Sequence, residues 1–494
     1  MTKLGSAPNI LWVCTDAQRW DTVAAFGNRH IRTPAFDEIC AQGAGFRRAY
    51  TQNPMCTPAR ASMLTGRYPA AHQVYRNGNA NFPGTEVLVP KLLANAGYTC
   101  GLVGKLHLST AQFGEDRQAD GYSFFRWSKH AIPDDAVEYS DHYKWLKAKG
   151  IDMAELYRDR WTLTGPGIDG SLHLMAWGVD QCLEFIERNR DRRWMLSFNP
   201  MVPHPPFDPP PEYWDRYANA ELPDAVFRES DLARQERFTG VRHQSPWAMD
   251  PRGQMDYSNH PYKQQVDRCI KLPAGISGRE LRIGYYGMIE YINDQLQRLF
   301  DGLKSLGLWE DTLTLLHSDH GEMLGDHGLI FKGARFFEGA TRVPMAMAWP
   351  GRTAPGVMSD ALVELVDIAP TLLDAAGMAV PSYMQGRSLW PIATGEADPA
   401  FHKTHAVCDF NDSVGYTPNN THTRATMVVG ERYKSVFYHD MGLSEVFDLQ
   451  DDPDEFEDLS ERPDFGSSML GIMREHMDAV IATIPEGPVK ASMW

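Results

Sequence analysis

Residues 10–15 read Ile-Leu-Trp-Val-Cys-Thr and run straight into Asp16. A run this short, without polar alternation, has the form of a strand covered on both faces. Three further runs share that form. Residues 99–103 end at Gly104-Lys105, residues 194–198 lead to His204, and residues 313–317 end at Asp319-His320. Helical periodicity lies between them. Residues 36–43 stop at a glycine. Residues 171–190 place Leu172, Met175, Val179, Leu183 and Ile186 on one face, and residues 279–306 do the same with Ile289, Ile292, Leu296, Leu299 and Leu303. Strands alternating with long helices imply an α/β fold: a large, mostly parallel central sheet flanked by helices. Ligands collect outside the carboxyl ends of such strands, so the polar residues that close the four runs are expected to converge.

With 494 residues the chain is long enough for one large domain and a smaller one. The pattern changes near 380–400, after a helix-like stretch at 367–376. Short strands follow at 405–409, 425–429, 432–439 and 445–449, and a helix closes the chain around 464–483. The expected division is a catalytic α/β domain over 1–385 and a small α+β C-terminal domain over 386–494. Residues 205–275, rich in Pro, Asp, Arg and Trp, show little periodicity and read as a long surface excursion that walls a pocket.

A formal net charge of −16 argues against a nucleic-acid partner and against docking on an anionic membrane. It does not exclude an anionic substrate, because a few cations focused in a cleft outweigh an acidic surface. No run of eighteen apolar residues occurs, and the first residues carry no long apolar leader. The seven cysteines (14, 40, 56, 100, 182, 269 and 408) are scattered and lack a Cys-x-x-Cys pair, as buried free thiols of a cytoplasmic protein would be.

The segment Cys56-Thr-Pro-Ala-Arg60-Ala-Ser-Met-Leu-Thr-Gly-Arg67 is the most informative for chemistry. Pro58 suits the first turn of a helix beginning just after Cys56, where free N–H groups favour an anion and lower a thiol pKa. Cys-x-Pro-x-Arg with this continuation resembles the signature of the formylglycine-dependent sulfatases, of the alkaline phosphatase superfamily. The resemblance spans nearly the whole chain. Asn9–Asp16 with Arg19 and Asp21, Gly104-Lys105-Leu-His107, Pro203-His204-Pro-Pro-Phe207, Ser318-Asp319-His320-Gly321, Gly325-Asp-His-Gly328 with Lys332, and Glu445-Val-Phe-Asp-Leu449 follow the family order.

What the resemblance implies is an alkaline-phosphatase-like fold and a sulfuric ester hydrolase acting on a small aryl, alkyl or sugar sulfate. A maturation enzyme would oxidise Cys56 to formylglycine, which serves as the nucleophile at one divalent metal ion. Asp16, residue 56, Asp319 and His320 would hold that ion. Lys105 and Lys332 would stabilise the transferring group, Arg60 would hold the matured nucleophile, His204 would serve the leaving oxygen, and His107 would release sulfate.

Two positions depart from the family pattern. Ala17 stands where many sulfatases carry a second acid, leaving Gln18 or water to fill the place. Asp319-His320 replaces the Asp-Asn pair of many arylsulfatases, and its imidazole makes Mn2+ a real alternative to Ca2+, the first choice of metal. Asp-His also occurs in relatives that hydrolyse phosphonate monoesters and phosphodiesters, which is the alternative activity; Lys105 together with His107 favours the sulfatase pattern. Asn77, in Tyr75-Arg-Asn-Gly78, is a weak candidate for the surroundings of the substrate, and the long excursions are compatible with a homo-oligomer.

Overall fold

The computed structural model describes residues 7–79, 81–109, 114–129, 137–157, 162–245, 247–258, 275–413 and 422–485. Thirteen strands lie among them. The first nine are β1 (Asn9–Thr15), β2 (Ala44–Tyr50), β3 (Thr99–Gly104), β4 (Tyr122–Trp127), β5 (Trp194–Asn199), β6 (Thr312–Ser318), β7 (Arg342–Ala348), β8 (Val357–Ser359) and β9 (Val363–Glu364). They form one sheet in the order β4-β3-β5-β1-β6-β7-β2-β8, with β9 also paired to β2. The half from β4 to β6 is parallel throughout, and β7 is antiparallel to both its neighbours.

The four apolar runs are β1, β3, β5 and β6, adjacent and parallel at the centre of the sheet. β1 and β6 are buried at every residue, as continuous apolarity requires when helices cover both faces. The helix Gly278–Ser305 opens with a capping box from Ser277 and Glu280. It buries Ile289, Ile292, Leu296, Leu299 and Leu303 as their spacing implies, and its stretch before Ile289 is buried nearly all round. The helix Leu174–Arg188 buries Met175, Val179 and Ile186, but Cys182 and Phe185 face the core where Leu172 and Leu183 are only partly covered.

The second sheet is an antiparallel meander of β10 (Ala406–Asn411), β11 (Arg424–Val429), β12 (Tyr433–His439) and β13 (Leu443–Asp448). The helix Gly466–Ala482 packs on β11 and β12. Ala406, Cys408, Phe410, Met427 and Val436 join Tyr50, Met55 and Phe336 in one apolar cluster, so the meander is bound to the segment that enters the Cys56 helix.

Residues 205–258 are not a loose surface excursion. They carry helices Pro211–Ala218 and Ser230–Glu236 and bury Phe207, Tyr213, Tyr217, Phe238, Val241, Met255 and Tyr257. Prolines cut the stretch into pieces too short to show a period, which is why its packing is invisible as a pattern. Pro246 and residues 259–274 of that stretch, Cys269 among them, lie outside the described residues. The six described cysteines are all buried free thiols. No helix among the described residues is long and apolar enough to cross a membrane.

Candidate active site

Adjacent parallel strands deliver their terminal residues to one edge of the sheet. Asp16 follows β1, and its N–H donates to Val202 O (3.0 Å) beyond β5. Asp319 follows β6, with its N–H on Thr15 O (3.3 Å). Lys105 follows β3 and donates its N–H to Asn199 O (2.8 Å) at the end of β5. Gly104 makes that approach possible: its φ is 106°, and a Cβ there would lie 2.1 Å from Asn199 O.

The helix Cys56–Thr65 begins at Cys56 itself and is buried at all ten residues. The loop before it is pinned by Asn53, which accepts from Met55 N–H (2.9 Å) and donates to Asp409 O (2.5 Å). Side chains on a helix lean toward its N-terminus, so Arg60, one turn in, reaches back across the mouth of the helix. Its Nε donates to Asp319 Oδ2 (2.8 Å), its Nη2 to Asp16 Oδ2 (3.2 Å) and its Nη1 to Lys105 O (3.0 Å). Lys105 Nζ donates to Asp16 Oδ2 at 2.5 Å.

Asp16, Cys56, Asp319 and His320 form one buried group whose ligand atoms all lie within 4.8 Å of one another. Cys56 Sγ is 3.1 Å from His320 Nε2 and 3.8 Å from Asp16 Oδ1. His320 Nδ1 lies 2.9 Å from Gly321 O. A carbonyl only accepts, so Nδ1 carries a proton, and in its neutral form the ring turns the Nε2 lone pair toward the other three residues. Two carboxylates, an imidazole lone pair and a sulfur or oxygen from residue 56 are a donor set that fits a divalent cation.

The electrostatics of the group are set by opposing forces. Burial pushes the Cys56 thiol up, as does Asp16, but Lys105, Lys332 and His320 outweigh both and hold it well below its usual value. Burial would likewise raise Asp16, yet Lys105, His204, Arg60 and Lys332 hold it well below the ordinary carboxylate range. Burial opposes a charge on His320, and Asp319 reverses that to raise its pKa.

The other candidates fall around this group. Lys332 is 2% exposed, and its Nζ is buried without a hydrogen-bond partner while its field reaches Asp16, Cys56 and His320. His204 follows directly on Pro203, which bridges Asp16 in strand fashion, and its Nδ1 lies 3.0 Å from Pro205 O. His107 sits half-buried at φ 60°, contributes no ligand to the four-residue group, and has an Nδ1 that is buried and unpartnered.

Residues 8–378 match the family model described as Sulfatase. This chain belongs to the sulfatase family. Residues 325–482 also match a model for the C-terminal part of N-sulphoglucosamine sulphohydrolase. The sulfatase is 28% identical over 473 residues to an arylsulfatase of Clostridium perfringens, covering 92% of this chain and 90% of that enzyme. It is 28% identical over 470 residues to a choline-sulfatase of Rhizobium meliloti, covering 92% and 83%. The phosphonate monoester hydrolase of Agrobacterium radiobacter has the same fold, with a TM-score of 0.76 at 23% identity over 96% of both chains. The enzyme is a sulfuric ester hydrolase of the alkaline phosphatase superfamily, and the family implies a divalent metal and a modified cysteine.

Several residues around this group are marked weakly or not at all in the sequence. Asn77 Oδ1 accepts the Thr57 N–H (2.9 Å), so this amide at the helix mouth is capped rather than open to an anion. The Asn77 N–H donates in turn to Ser413 Oγ (2.9 Å), tying the Cys56 helix to the segment just past β10. Glu115 accepts the N–H groups of both His107 (2.5 Å) and Leu108 (2.9 Å), fixing the left-handed turn that presents the imidazole. At the departure from family pattern, Ala17 has φ 65°, donates its N–H to Asp319 Oδ1 (3.2 Å) and accepts from Tyr285 OH (2.6 Å). Its methyl offers no ligand. Gln18 Oε1 accepts from Thr15 Oγ1 (2.9 Å), so its amide oxygen serves the turn.

Proposed function

We propose that this sulfatase hydrolyses aryl, alkyl or sugar sulfate esters to an alcohol and inorganic sulfate, with residue 56, matured from cysteine to formylglycine, as nucleophile. The observation that carries the reading is the placement of Cys56 at a helix start, within one buried group with two carboxylates and an imidazole. A divalent cation held by Asp16, Asp319, His320 and residue 56 would supply Lewis acidity and offset the carboxylate charge. Ca2+ is the first choice for it, and Mn2+ the alternative, because one ligand is an imidazole.

The chain's own residues account for the remaining work. Arg60 holds Asp16 and Asp319 in a fixed relation through three donated hydrogen bonds, two of them to carboxylates. Lys105 and Lys332 flank residue 56 with two ammonium groups suited to the oxygens of a sulfuryl group as charge develops on them. Lys332 is suited to that task because no internal carboxylate takes its donors. His204 is assigned to protonate the departing oxygen. His107, held by Glu115, is assigned to accept a proton from residue 56 as sulfate leaves.

The test is a comparison of specificity constants for aryl sulfate, aryl phosphonate monoester and phosphodiester substrates, with mass spectrometry of the Cys56 peptide from the same preparation. The expected result is a preference for the sulfate and a peptide about 18 mass units lighter than the thiol form. A far larger specificity constant for the phosphonate would replace this reading by the alternative one. An unmodified thiol in active protein would remove the nucleophile.

A further inference from the structure

The terminal helix Gly466–Ala482 has more apolar surface than its sheet covers. Ile472, His476 and Thr483 are buried, and Ala479 and Val480 are partly buried against the meander. Beside that face runs a second stripe of Leu470, Met473, Met477 and Ile481, continued past the helix end by Ile484. These are exposed by 72, 38, 59, 58 and 57%. At about 100° per residue the two stripes make one apolar sector roughly 200° wide, of which the sheet fills half. Gly471, Arg474, Glu475, Asp478 and Ala482, all exposed, make up the remaining polar side.

The spacing of the uncovered stripe is symmetric about Met477. Leu470 and Ile484 lie seven residues to either side, and Met473 and Ile481 four. An antiparallel partner with the same sequence, related by a two-fold axis at Met477, therefore sets Leu470 against Ile484, Met473 against Ile481 and Met477 against itself. That is the self-complementarity an isologous contact requires. Charge follows the same symmetry. Arg474 and Asp478 lie on one flank of the stripe, and neither makes an ion pair among the described residues. Across the two-fold axis each Arg474 comes within about 3 Å, measured along the axis, of the level of the partner's Asp478, and the two Asp478 are also about 3 Å apart in level, so the two guanidinium groups bracket the two carboxylates on one flank. Side chains exposed to this degree leave on the order of 500 Å2 per copy, and a two-fold contact would bury on the order of 1,000 Å2, near the lower bound for a specific interface.

We propose that this stripe is the contact face of a homodimer, in which the terminal helices of two copies of this chain pack antiparallel about Met477. The contact lies on the outer face of the meander, apart from the catalytic edge of the large sheet. Its occupant is a second copy rather than a membrane, because the flanking polar side carries Glu475 and Asp478 beside a single Arg474.

Sedimentation velocity of the full chain and of Met477→Glu tests the pairing, with sulfate ester hydrolysis as the control for folding. Wild type is expected at twice the chain mass at micromolar concentration. Met477→Glu, which sets two carboxylates against each other on the axis, is expected at the mass of one chain with unchanged turnover. Met477→Cys should cross-link to itself under copper-phenanthroline. Leu470→Cys should not, since its two copies stand roughly 20 Å apart along the axis. A monomeric wild type, a dimer indifferent to Met477→Glu, self-linking by Leu470→Cys, or co-sedimentation with anionic phosphatidylserine vesicles that Met477→Glu abolishes would each overturn the proposal.

Discussion

Two clusters of buried charge flank the large sheet, and they are built on opposite principles. At the outer edge, Glu364 of β9 and Asp367 share Lys403. Glu364 Oε1 accepts from Gln52 Nε2 (3.1 Å) and Val407 N–H (2.9 Å), and Oε2 accepts from Tyr68 OH and Lys403 Nζ, both at 2.5 Å. Asp367 accepts from Arg387 N–H (2.8 Å), Glu364 N–H (3.0 Å) and Lys403 Nζ (2.6 Å). Every carboxylate oxygen is taken. At the catalytic edge, Arg60 and Lys105 satisfy part of Asp16 and Asp319, but Lys332 Nζ and His107 Nδ1 are buried with no partner. A buried ammonium without a hydrogen bond is costly, and a structure has no use for it unless something else is to be bound. The difference separates a strut from a site: one cluster is closed, the other holds donors in reserve.

The largest expected effect comes from removing the proposed nucleophile. Cys56→Ala should lower sulfate ester hydrolysis by ~10^4-fold or more, with the melting temperature little changed, because a small buried side chain is replaced by a slightly smaller one. Activity retained within tenfold would show that residue 56 is not the nucleophile.

The two lysines test the contrast directly. Lys332→Met removes a buried ammonium that has no internal partner. Turnover should fall about 10^2- to 10^3-fold, while stability to urea stays level or rises. Lys403→Met leaves two buried carboxylates facing each other. It should cost roughly 3–5 kcal/mol of unfolding free energy and leave the turnover of the folded fraction unchanged. Urea melts and active-site titration of both variants measure this. Equal destabilisation by the two substitutions would erase the distinction.

How far this was legible in the sequence follows from the same physics. β1, β3, β5 and β6 announce themselves because burial on both faces demands unbroken apolarity. β2 and β7 do not. β2 carries Arg47 and Arg48 at an irregularity between Phe46 and Ala49, and β7 carries Pro344 between the residues paired with those two, Val343 and Met345. The proline, lacking an N–H, falls opposite the irregularity, so each strand's defect is explained only by the other. In the site, Asp16, Lys105, Asp319 and His320 are readable because each closes a readable strand. Lys332 stands alone in a loop and is singled out only by family resemblance. Asn77, Glu115 and Tyr285 act through backbone groups that are distant in sequence or set in irregular turns, and no spacing rule marks them.

The smallest expected effect is the dependence of the closed cluster on acid. Burial alone would raise the Asp367 carboxyl, but Lys403, with His402, outweighs it and holds the group at about 2, from an ordinary 3.8. A depressed acid contributes stability that is complete above its unfolded pKa, near 4, and lost as the pH falls through the folded value. The contribution is roughly 2 kcal/mol, disappearing between about pH 4 and pH 2. Asp409 on β10 has the opposite sign: burial raises it to about 6, so it costs stability as the pH rises through that value. Asp409→Asn should therefore stabilise the protein at pH 7 by about 1–2 kcal/mol and have no effect at pH 4. Urea unfolding from pH 7 to pH 2 separates the two acids. The gap between wild type and Lys403→Met should shrink below pH 4, because protonated Asp367 no longer needs the ammonium. A gap that stays constant down to pH 2 would mean that the cluster is held by packing rather than by charge, and that the closed and open clusters differ less than their hydrogen bonds indicate.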